Sequence, residues 1–297
     1  EREFAGGVTV SAGYVGNRGL HLQRKRNINQ ILTPGTTYAN PSVNPNALRP
    51  YLGAGIIDIS ENSGLSKYDS FQATVRKITG ALTFGASYTY SRSLDNTSSL
   101  TDVLPNSYSD ANYWGSSDFS VPQALTISYT YNLPTRGREA FTRMVIGGWA
   151  ISGINQFDSG MPFSVRTNID YAGIGSGSGN QFWIVSGNPN GCSTPFAGIG
   201  ATVYCKNAFT APAQGTFAPG DTRNMFSNPG FWQWNFAAYK SFPLRESLHF
   251  QFRAEAFNLT NHPNWATVNS NPLSSTFMMV TSKLGSRNLQ FETRLTF

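Results

Sequence analysis

Residues 81–91 read ALTFGASYTYS, and every second side chain of this stretch is apolar. The apolar set is Leu82, Phe84, Ala86, Tyr88 and Tyr90, and the residues between them are Thr, Gly or Ser. Successive side chains of a β-strand point to opposite faces of a sheet. The alternation therefore predicts a strand with one apolar face and one polar face.

The same pattern recurs in three other stretches of the chain. Residues 125–133 read LTISYTYNL, residues 248–258 read LHFQFRAEAFN, and the last nine residues, 289–297, read LQFETRLTF. In a soluble sandwich the apolar set would point into the core. In a membrane barrel it would face lipid, and the polar set would face a wet lumen.

The composition favours a β-structured protein without membrane helices. Of the 297 residues, 13% are charged and 13% are aromatic, and the charged share is about half the usual one. No apolar run reaches the roughly 18 residues that a transmembrane helix needs. The net charge is +6, and the dense basic run is Arg24-Lys25-Arg26. Because no basic helix or aromatic platform accompanies this run, we interpret it as a solvated loop patch and expect no nucleic-acid partner.

Eight stretches are predicted to be strands long enough to cross a bilayer. Their approximate bounds are 7–15, 67–78, 81–93, 121–133, 145–166, 231–242, 247–258 and 287–297. Most reach the roughly 9–11 residues that a tilted spanning strand requires. The sequence thus predicts an all-β fold, an antiparallel meander of about eight strands with long external loops.

The lengths of the connections alternate strictly. Thr79-Gly80, the segment 134–144 with Gly137, and the segment 243–246 are short, whereas 16–66, 94–120, 167–230 and 259–286 are long. A meander that crosses a membrane shows this order, with tight turns on the periplasmic side and large loops outside. Within the first long connection, residues 54–62 are interpreted as part of a hairpin above the membrane, because a spanning strand there would break the alternation.

Two other architectures fit part of this pattern. An eight-stranded sheet can close into a small barrel, which would act as an adhesin or a structural surface protein. A soluble extracellular β-sandwich that binds sugar would bury its aromatic faces.

Several motifs resemble one family of membrane proteins. They are YVGNRG at 14–19 with HL at 21–22, SYTYSRSLD at 87–95, GGW at 147–149 with SG at 152–153, SGMPF at 159–163, QFRAEAFNLTNHP at 251–263 and RLTF at 294–297. Together they resemble the barrel end of Oar-like TonB-dependent outer-membrane receptors.

The resemblance implies a fold, a location and a set of partners. In that family a regulatory domain and a plug precede a barrel of about 22 strands, so residues 1–297 would form the C-terminal barrel segment. The implied location is the cell outer membrane of a Gram-negative-type bacterium. The implied partners are outer-membrane lipid, the upstream plug and barrel strands, an inner-membrane energy-coupling complex, and the barrel-insertion machinery. Phe297 would be the C-terminal signal read by that machinery.

Such a receptor passes a bulky solute that its external loops capture, and the residues do not identify that solute. The first strand, Gly7–Val15 in our prediction, and the last would both lack partners in this chain, because the barrel would close through strands upstream. No cofactor is expected.

Five charged side chains are predicted to face the lumen: Arg76, Arg253, Glu255, Glu292 and Arg294. They would contact a solute or plug, or they would pair across neighbouring strands in a wet interior, and we favour the second alternative.

The remaining polar motifs do not indicate catalysis. The sequence Asp158-Ser159-Gly160 and the three histidines do not have the spacing of a nucleophile elbow, so no enzyme activity is expected. No metal site is expected, since the aspartates between Asp95 and Asp118 lack the spacing of a calcium loop. Cys192 and Cys205 lie in one polar segment, where an exported protein would form a local disulfide.

Overall fold

A computed structural model describes residues 1–102, 104–111, 113–134, 147–175, 181–192, 198–219, 223–245 and 248–297. Eight long strands follow one another along the chain: β1 (Val8–Asn27), β2 (Asp58–Lys77), β3 (Leu82–Asp95), β4 (Gln123–Asn132), β5 (Trp149–Asp158), β6 (Phe231–Arg245), β7 (Leu248–Phe257) and β8 (Asn288–Thr296). Neighbours in the chain are neighbours in the sheet, and all pairs are antiparallel. Two short strands complete the sheet, Arg2–Phe4 beside β1 and Gly115–Ser116 beside β3. The predicted all-β meander of eight long strands is confirmed.

The register places the predicted apolar and polar sets on opposite faces. Ser87 lies between Thr74 and Thr126, and one residue along the strand Ala86 lies between Val75 and Ile127. On the side of Ser87, Thr126 is paired with Gln156 of β5, which in turn is paired with Gln233 of β6, so polar residues continue across the sheet. We call the two sides of the sheet the polar face and the apolar face.

Large apolar side chains of the apolar face are exposed or half-buried. Tyr14 is 71% exposed, Tyr90 57% and Phe291 69%. Within the described part of the sheet, the buried apolar residue on this face is a small one, Ala256. A soluble sandwich would cover such a face with a second sheet, so the arrangement contradicts that alternative.

One strand departs from the alternation, and its sequence indicates this, because Ile154 is three residues from Ile151 and so falls on the opposite face. Ile154 of β5 lies on the polar face between Ser128 and Asn235, and its neighbour Gly153 lies on the apolar face. A Cβ atom on Gly153 would lie 2.5 Å from the Tyr129 hydroxyl, so only glycine leaves room for that ring. The Tyr129 hydroxyl accepts a hydrogen bond of 3.2 Å from the Trp234 indole.

The predicted strand 145–166 is too long at its C-terminal end. β5 ends at Asp158, and the chain then leaves the sheet to pair Pro162–Phe163 with Phe226–Ser227. The backbone of Asn228 approaches Gly160 so closely that no Cβ atom would fit there. Proline also lacks the N–H that a continued strand would need.

The strands β1 and β2 are longer than predicted, with 20 residues each. Beyond a bulge at Gly19 and Leu22, they continue as a hairpin that pairs Arg24 with Glu61 and Asn27 with Asp58. The interpretation of residues 54–62 as part of a hairpin agrees with this pairing. The interpretation of Arg24-Lys25-Arg26 as a solvated loop patch is wrong, since these residues belong to β1 and Arg24 is buried.

Short and long connections lie at opposite ends of the sheet. Residues 78–81 form a tight turn between β2 and β3, in which Gly80 has a φ of 85°. The other two short connections, 133–148 and 246–247, join neighbouring antiparallel strands at the same end. The turn predicted over 134–144 lies outside the described residues except for its first residue. The turn predicted over 243–246 begins too early, because β6 continues to Arg245 and pairs Pro243 with His249 and Arg245 with Leu248. The four long connections, 28–57, 96–122, 159–230 and 258–287, lie at the other end.

The four long connections pack together, and we call their described residues the cap. Most of the buried apolar residues in the described part of the chain belong to it. Val165, Cys205, Ala208, Phe209, Phe226, Val268, Phe277, Met278 and Val280 form one cluster, and Ile31, Ala172 and Ile174 form a second. The regular elements of the cap are short. They are Thr36–Ala39, Pro45–Ala47 and Lys206–Ala208, which are helical, and the strands Pro162–Phe163, Arg166–Thr167, Gln181–Phe182, Ile184–Val185, Phe209–Thr210, Phe226–Ser227, Asn264–Trp265 and Lys283–Leu284.

Among the described residues, no helix has the length and apolar character needed to span a membrane.

A disulfide joins Cys192 and Cys205 in the cap, with the two Cα atoms 5.0 Å apart. Cys205 is buried in the larger apolar cluster, so the bond connects a polar segment to that cluster. By the chain-entropy argument, closing a loop of this size contributes about 3 kcal/mol. We expect protein purified without reductant to take up no alkylating agent, and to take up two equivalents after unfolding and reduction. Intact-mass analysis checks this, and two alkylated thiols in unreduced protein would contradict the bond.

The sheet does not close on itself. One edge is β8, and the other edge is formed by Arg2–Phe4 and the part of β1 that this short strand leaves uncovered. The prediction that the first strand lacks a partner therefore needs a correction, because Arg2–Phe4 pairs with Val8–Val10. No described residue pairs with the outer edge of β8.

Candidate functional site

The polar face encloses an open cavity of about 740 Å³. Strands from β2 to β7 contribute to its walls, so the sheet is curved with its polar face inside. Hydroxyl, amide and charged side chains of this face line the cavity: Thr74, Arg76, Ser87, Ser128, Thr130, Ser152, Asn235, Arg253 and Glu255. Such a lining offers many hydrogen-bonding groups to water or to a polar solute.

Three of the five predicted lumen-facing charges meet at this cavity. Arg76 lies on one wall, and Arg253 and Glu255 lie on the opposite one. An ion pair of 2.5 Å joins Arg253 Nη2 to Glu255 Oε1 along β7. The Nε of Arg253 is buried without a hydrogen-bond partner. Within the described residues Arg76 makes no ion pair, so this wall carries a free positive charge.

The other two predicted charges lie away from the cavity. Glu292 is opposite Arg253 and Arg294 is opposite Gln251, both on the exposed strand β8. The structure therefore contains an ion pair along one strand, instead of the favoured pairs across strands. Phe297 follows β8 and is 94% exposed.

A buried arginine holds two connections of the cap together. Arg223 Nη1 lies 2.6 Å from Asp95 Oδ1, and both side chains are less than a tenth exposed. The guanidinium also donates to the Asp95 carbonyl at 2.7 Å and to Ser98 Oγ at 2.7 Å. Two more carboxylates, of Asp102 and Asp118, lie 3.8 Å from Nη2. The Arg223 guanidinium thus lies near three carboxylates: that of Asp95 at the end of β3, and those of Asp102 and Asp118 in the connection 96–122.

The adjacent residue extends this network. Asn224 Nδ2 donates to Asp118 Oδ1 at 2.6 Å, and its backbone N–H donates to Ser164 Oγ at 2.8 Å. Asn224 has a φ of 54°, a left-handed conformation that asparagine tolerates better than most residues. The network therefore also fixes the course of the chain around Ser164.

A second ionic cluster links the hairpin of β1 and β2 to the cap. Arg24 lies 3.3 Å from Glu61 Oε1 and 2.9 Å from Asp110 Oδ2, and Arg26 lies 2.7 Å from Glu61 Oε2. Burial raises the pKa of the Glu61 carboxyl, but hydrogen bonds from Ser63, Arg26 and Arg24 outweigh this, so the pKa lies below its ordinary value. The carboxylate stays charged, and the hairpin is anchored to the connection 96–122.

Sequence reasoning missed Arg223, Ser98 and Asn224. The aspartates from Asp95 to Asp118 were the available signal, since four carboxylates close together in the sequence favour a nearby cation, above all for the buried Asp95. Asp95 and Arg223 are 128 residues apart in the chain, so no local pattern identifies Arg223 as the partner of Asp95. Among the described residues, no group of three or more His, Cys, Asp or Glu side chains is placed to hold a metal ion.

The sequence model of the family described as outer membrane beta barrel domain matches residues 1–290. No curated protein matches the chain.

Several solved structures have a similar course of the chain. They include the outer membrane transporter YddB from Escherichia coli (12% identity, TM-score 0.48, 99% of this chain and 31% of that chain). P. aeruginosa FpvA bound to pyoverdine is a second (11% identity, TM-score 0.44, 99% and 26%). The ferric-catecholate import receptor Fiu from E. coli is a third (12% identity, TM-score 0.39, 80% and 22%). The chain spans less than a third of the length of each of these proteins.

The family match covers nearly the whole chain, and the meander, its exposed apolar face and its polar interior agree with that match. The chain belongs to the family of outer membrane beta-barrel domains and resides in the outer membrane.

Proposed function

We propose that residues 1–297 are the C-terminal barrel segment of a TonB-dependent receptor that carries a bulky solute across the outer membrane. The cap would capture the solute outside, and the polar face would line its path. A plug and further barrel strands upstream, pulled by an inner-membrane energy-coupling complex, would drive passage. The motif resemblance supports this assignment, and no enzymatic step is part of it.

The observation that carries the proposal is the cap. Its connections are far longer than a meander needs to join neighbouring strands, and they fold around their own apolar clusters and a buried ion pair. Long ordered loops within a compact domain are usually functional. A folded cap at one end of a polar, curved face is the arrangement that a capture site above a passage requires.

The open edges support the assignment to a larger barrel. In hydrocarbon, each unpaired backbone N–H or C=O costs several kcal/mol, so an open sheet edge does not persist there. β8 and most of the outer edge of β1 need partner strands. The exposed Phe297, next to one of these edges, is accessible to the barrel-insertion machinery.

Uptake by cells tests the proposal even while the solute is unidentified. A deletion strain carrying the wild-type gene, an Arg223→Met gene or an Arg287→Met gene is grown in complex medium, with and without a functional energy-coupling complex. Untargeted mass spectrometry then measures which solutes disappear from the medium. We expect at least one bulky solute to be depleted by energised wild-type and Arg287→Met cells, and by neither the Arg223→Met nor the uncoupled cells.

The rival function gives a different result. A self-contained barrel that acts as an adhesin or structural protein would leave the medium unchanged in all strains and alter surface attachment instead. Depletion that persists without the energy-coupling complex would contradict energised passage.

A further inference from the structure

A cluster of charged side chains lies on the apolar face at the cap end of β1, β2 and β3. Arg18 is directly opposite Lys67, and Asp69 is directly opposite Arg92. Arg18 and Arg92 are exposed, and neither makes an ion pair within the described residues. We call these four residues the rim cluster.

The rim cluster carries excess positive charge that the described residues do not neutralise. Its single carboxylate is already bound, since Asp69 lies 2.8 Å from Lys67 Nζ and accepts a hydrogen bond of 2.5 Å from the Tyr14 hydroxyl. With three cationic side chains and one carboxylate, the rim cluster has a net charge of +2 (Arg18, Lys67 and Arg92 against Asp69). Like charges directly opposite each other on a sheet, such as Arg18 and Lys67, destabilise it unless an anion lies between them.

The level of the rim cluster in the membrane follows from the aromatic row next to it. Tyr14, Phe71 and Tyr90 are aligned across β1, β2 and β3, and all three are exposed. This row lies closer to the tight turns than the rim cluster, by two residues from Asp69 and Arg92 and by four from Arg18 and Lys67. Rows of exposed aromatic residues mark the boundary of the hydrocarbon in membrane barrels. The rim cluster therefore lies at the height of the lipid headgroups, in the leaflet on the side of the cap.

The direction of the rim cluster excludes the passing solute as its ligand. Its side chains share the face of Tyr14 and Phe71, whereas the cavity lies on the opposite face of the sheet. A ligand bound there would approach from the membrane. Arginine and lysine bind phosphate strongly, through charge-assisted hydrogen bonds.

From this geometry we propose that the rim cluster is a binding site for the phosphate groups of a phosphorylated glycolipid in the outer leaflet. Arg18, Lys67 and Arg92 would hold the phosphate, and Tyr14, Phe71 and Tyr90 would pack against the upper part of the acyl chains. The site would fix a lipid beside the strands that lead into the cap.

Native mass spectrometry of the full-length protein, extracted from outer membranes and delipidated in detergent, tests the site. The probe is bisphosphorylated lipid A, compared with the same lipid after removal of its phosphates. The double variant Arg18→Gln/Arg92→Gln should bind bisphosphorylated lipid A at least about tenfold more weakly than wild type. Dephosphorylated lipid A should bind wild type as weakly as the phosphorylated lipid binds this variant.

Two further variants separate a site from a general effect of charge or folding. Arg76→Gln/Arg294→Gln removes the same charge from the polar face and should bind like wild type. Asp69→Asn removes the competing carboxylate and should bind more tightly, an effect that a misfolded variant would not show. The proposal is overturned if Arg18→Gln/Arg92→Gln binds bisphosphorylated lipid A like wild type, if both lipids bind wild type equally, or if Asp69→Asn weakens binding.

Discussion

Replacement of Arg223 by methionine is expected to destabilise the cap by about 3–5 kcal/mol, because it leaves the buried carboxylate of Asp95 without its cation. Asp95 is 1% exposed and loses its ion pair with Nη1, and Ser98 loses the donor to its hydroxyl. Methionine retains most of the length of the arginine stem, so the loss reflects charge and hydrogen bonds more than volume. Hydrogen–deuterium exchange measured by mass spectrometry should show at least about a hundredfold faster exchange in residues 96–119.

The control for this change is Arg287→Met, which removes an exposed arginine of the cap that donates to the Leu259 carbonyl at 3.4 Å. A surface substitution of this kind should change stability by no more than about 0.5 kcal/mol. Asp95→Asn should cost less than Arg223→Met, since the guanidinium keeps the carboxylates of Asp102 and Asp118 nearby. Equal exchange in the Arg223→Met and Arg287→Met proteins would show that the buried ion pair does not hold the cap.

The sheet could be predicted from the sequence because its signal is local. Period-2 alternation fixes which face each residue occupies, and the alternating lengths of the connections fix the order of the strands. Residues such as Ser87 and Ala86 therefore lie on the predicted faces. Even the exception at Ile154 is visible in the sequence.

The cap could not be predicted in the same way. Its contacts join residues far apart in the chain, as Arg223 with Asp95 and Arg24 with Asp110. No periodic pattern marks such partners, and the short strands of two residues fall below the length at which a pattern exists. The same limit explains why the sequence alone suggests a loop at Arg24-Lys25-Arg26, since the partner Glu61 lies on another strand.

Placement of arginine on the apolar face in mid-membrane is the second change with a large expected effect. Ala86 lies on that face near the centre of β3, between Val75 and Ile127. Ser87 is its neighbour on the polar face, between Thr74 and Thr126, and is exposed. An arginine that faces lipid at the bilayer centre costs about 2–4 kcal/mol, whereas one that faces a wet lumen keeps its water. Ala86→Arg should therefore be much more destabilising than Ser87→Arg.

Urea-dependent refolding of the full-length protein into phospholipid vesicles measures this difference directly, and it tests the central claim that the apolar face contacts lipid. Both variants introduce the same side chain, one residue apart in the same strand, so propensity and added volume are matched. The structure predicts a loss of about 2–4 kcal/mol for Ala86→Arg and less than about 1 kcal/mol for Ser87→Arg. Equal losses for the two variants, or a larger loss for Ser87→Arg, would contradict a sheet whose apolar face is turned to the membrane.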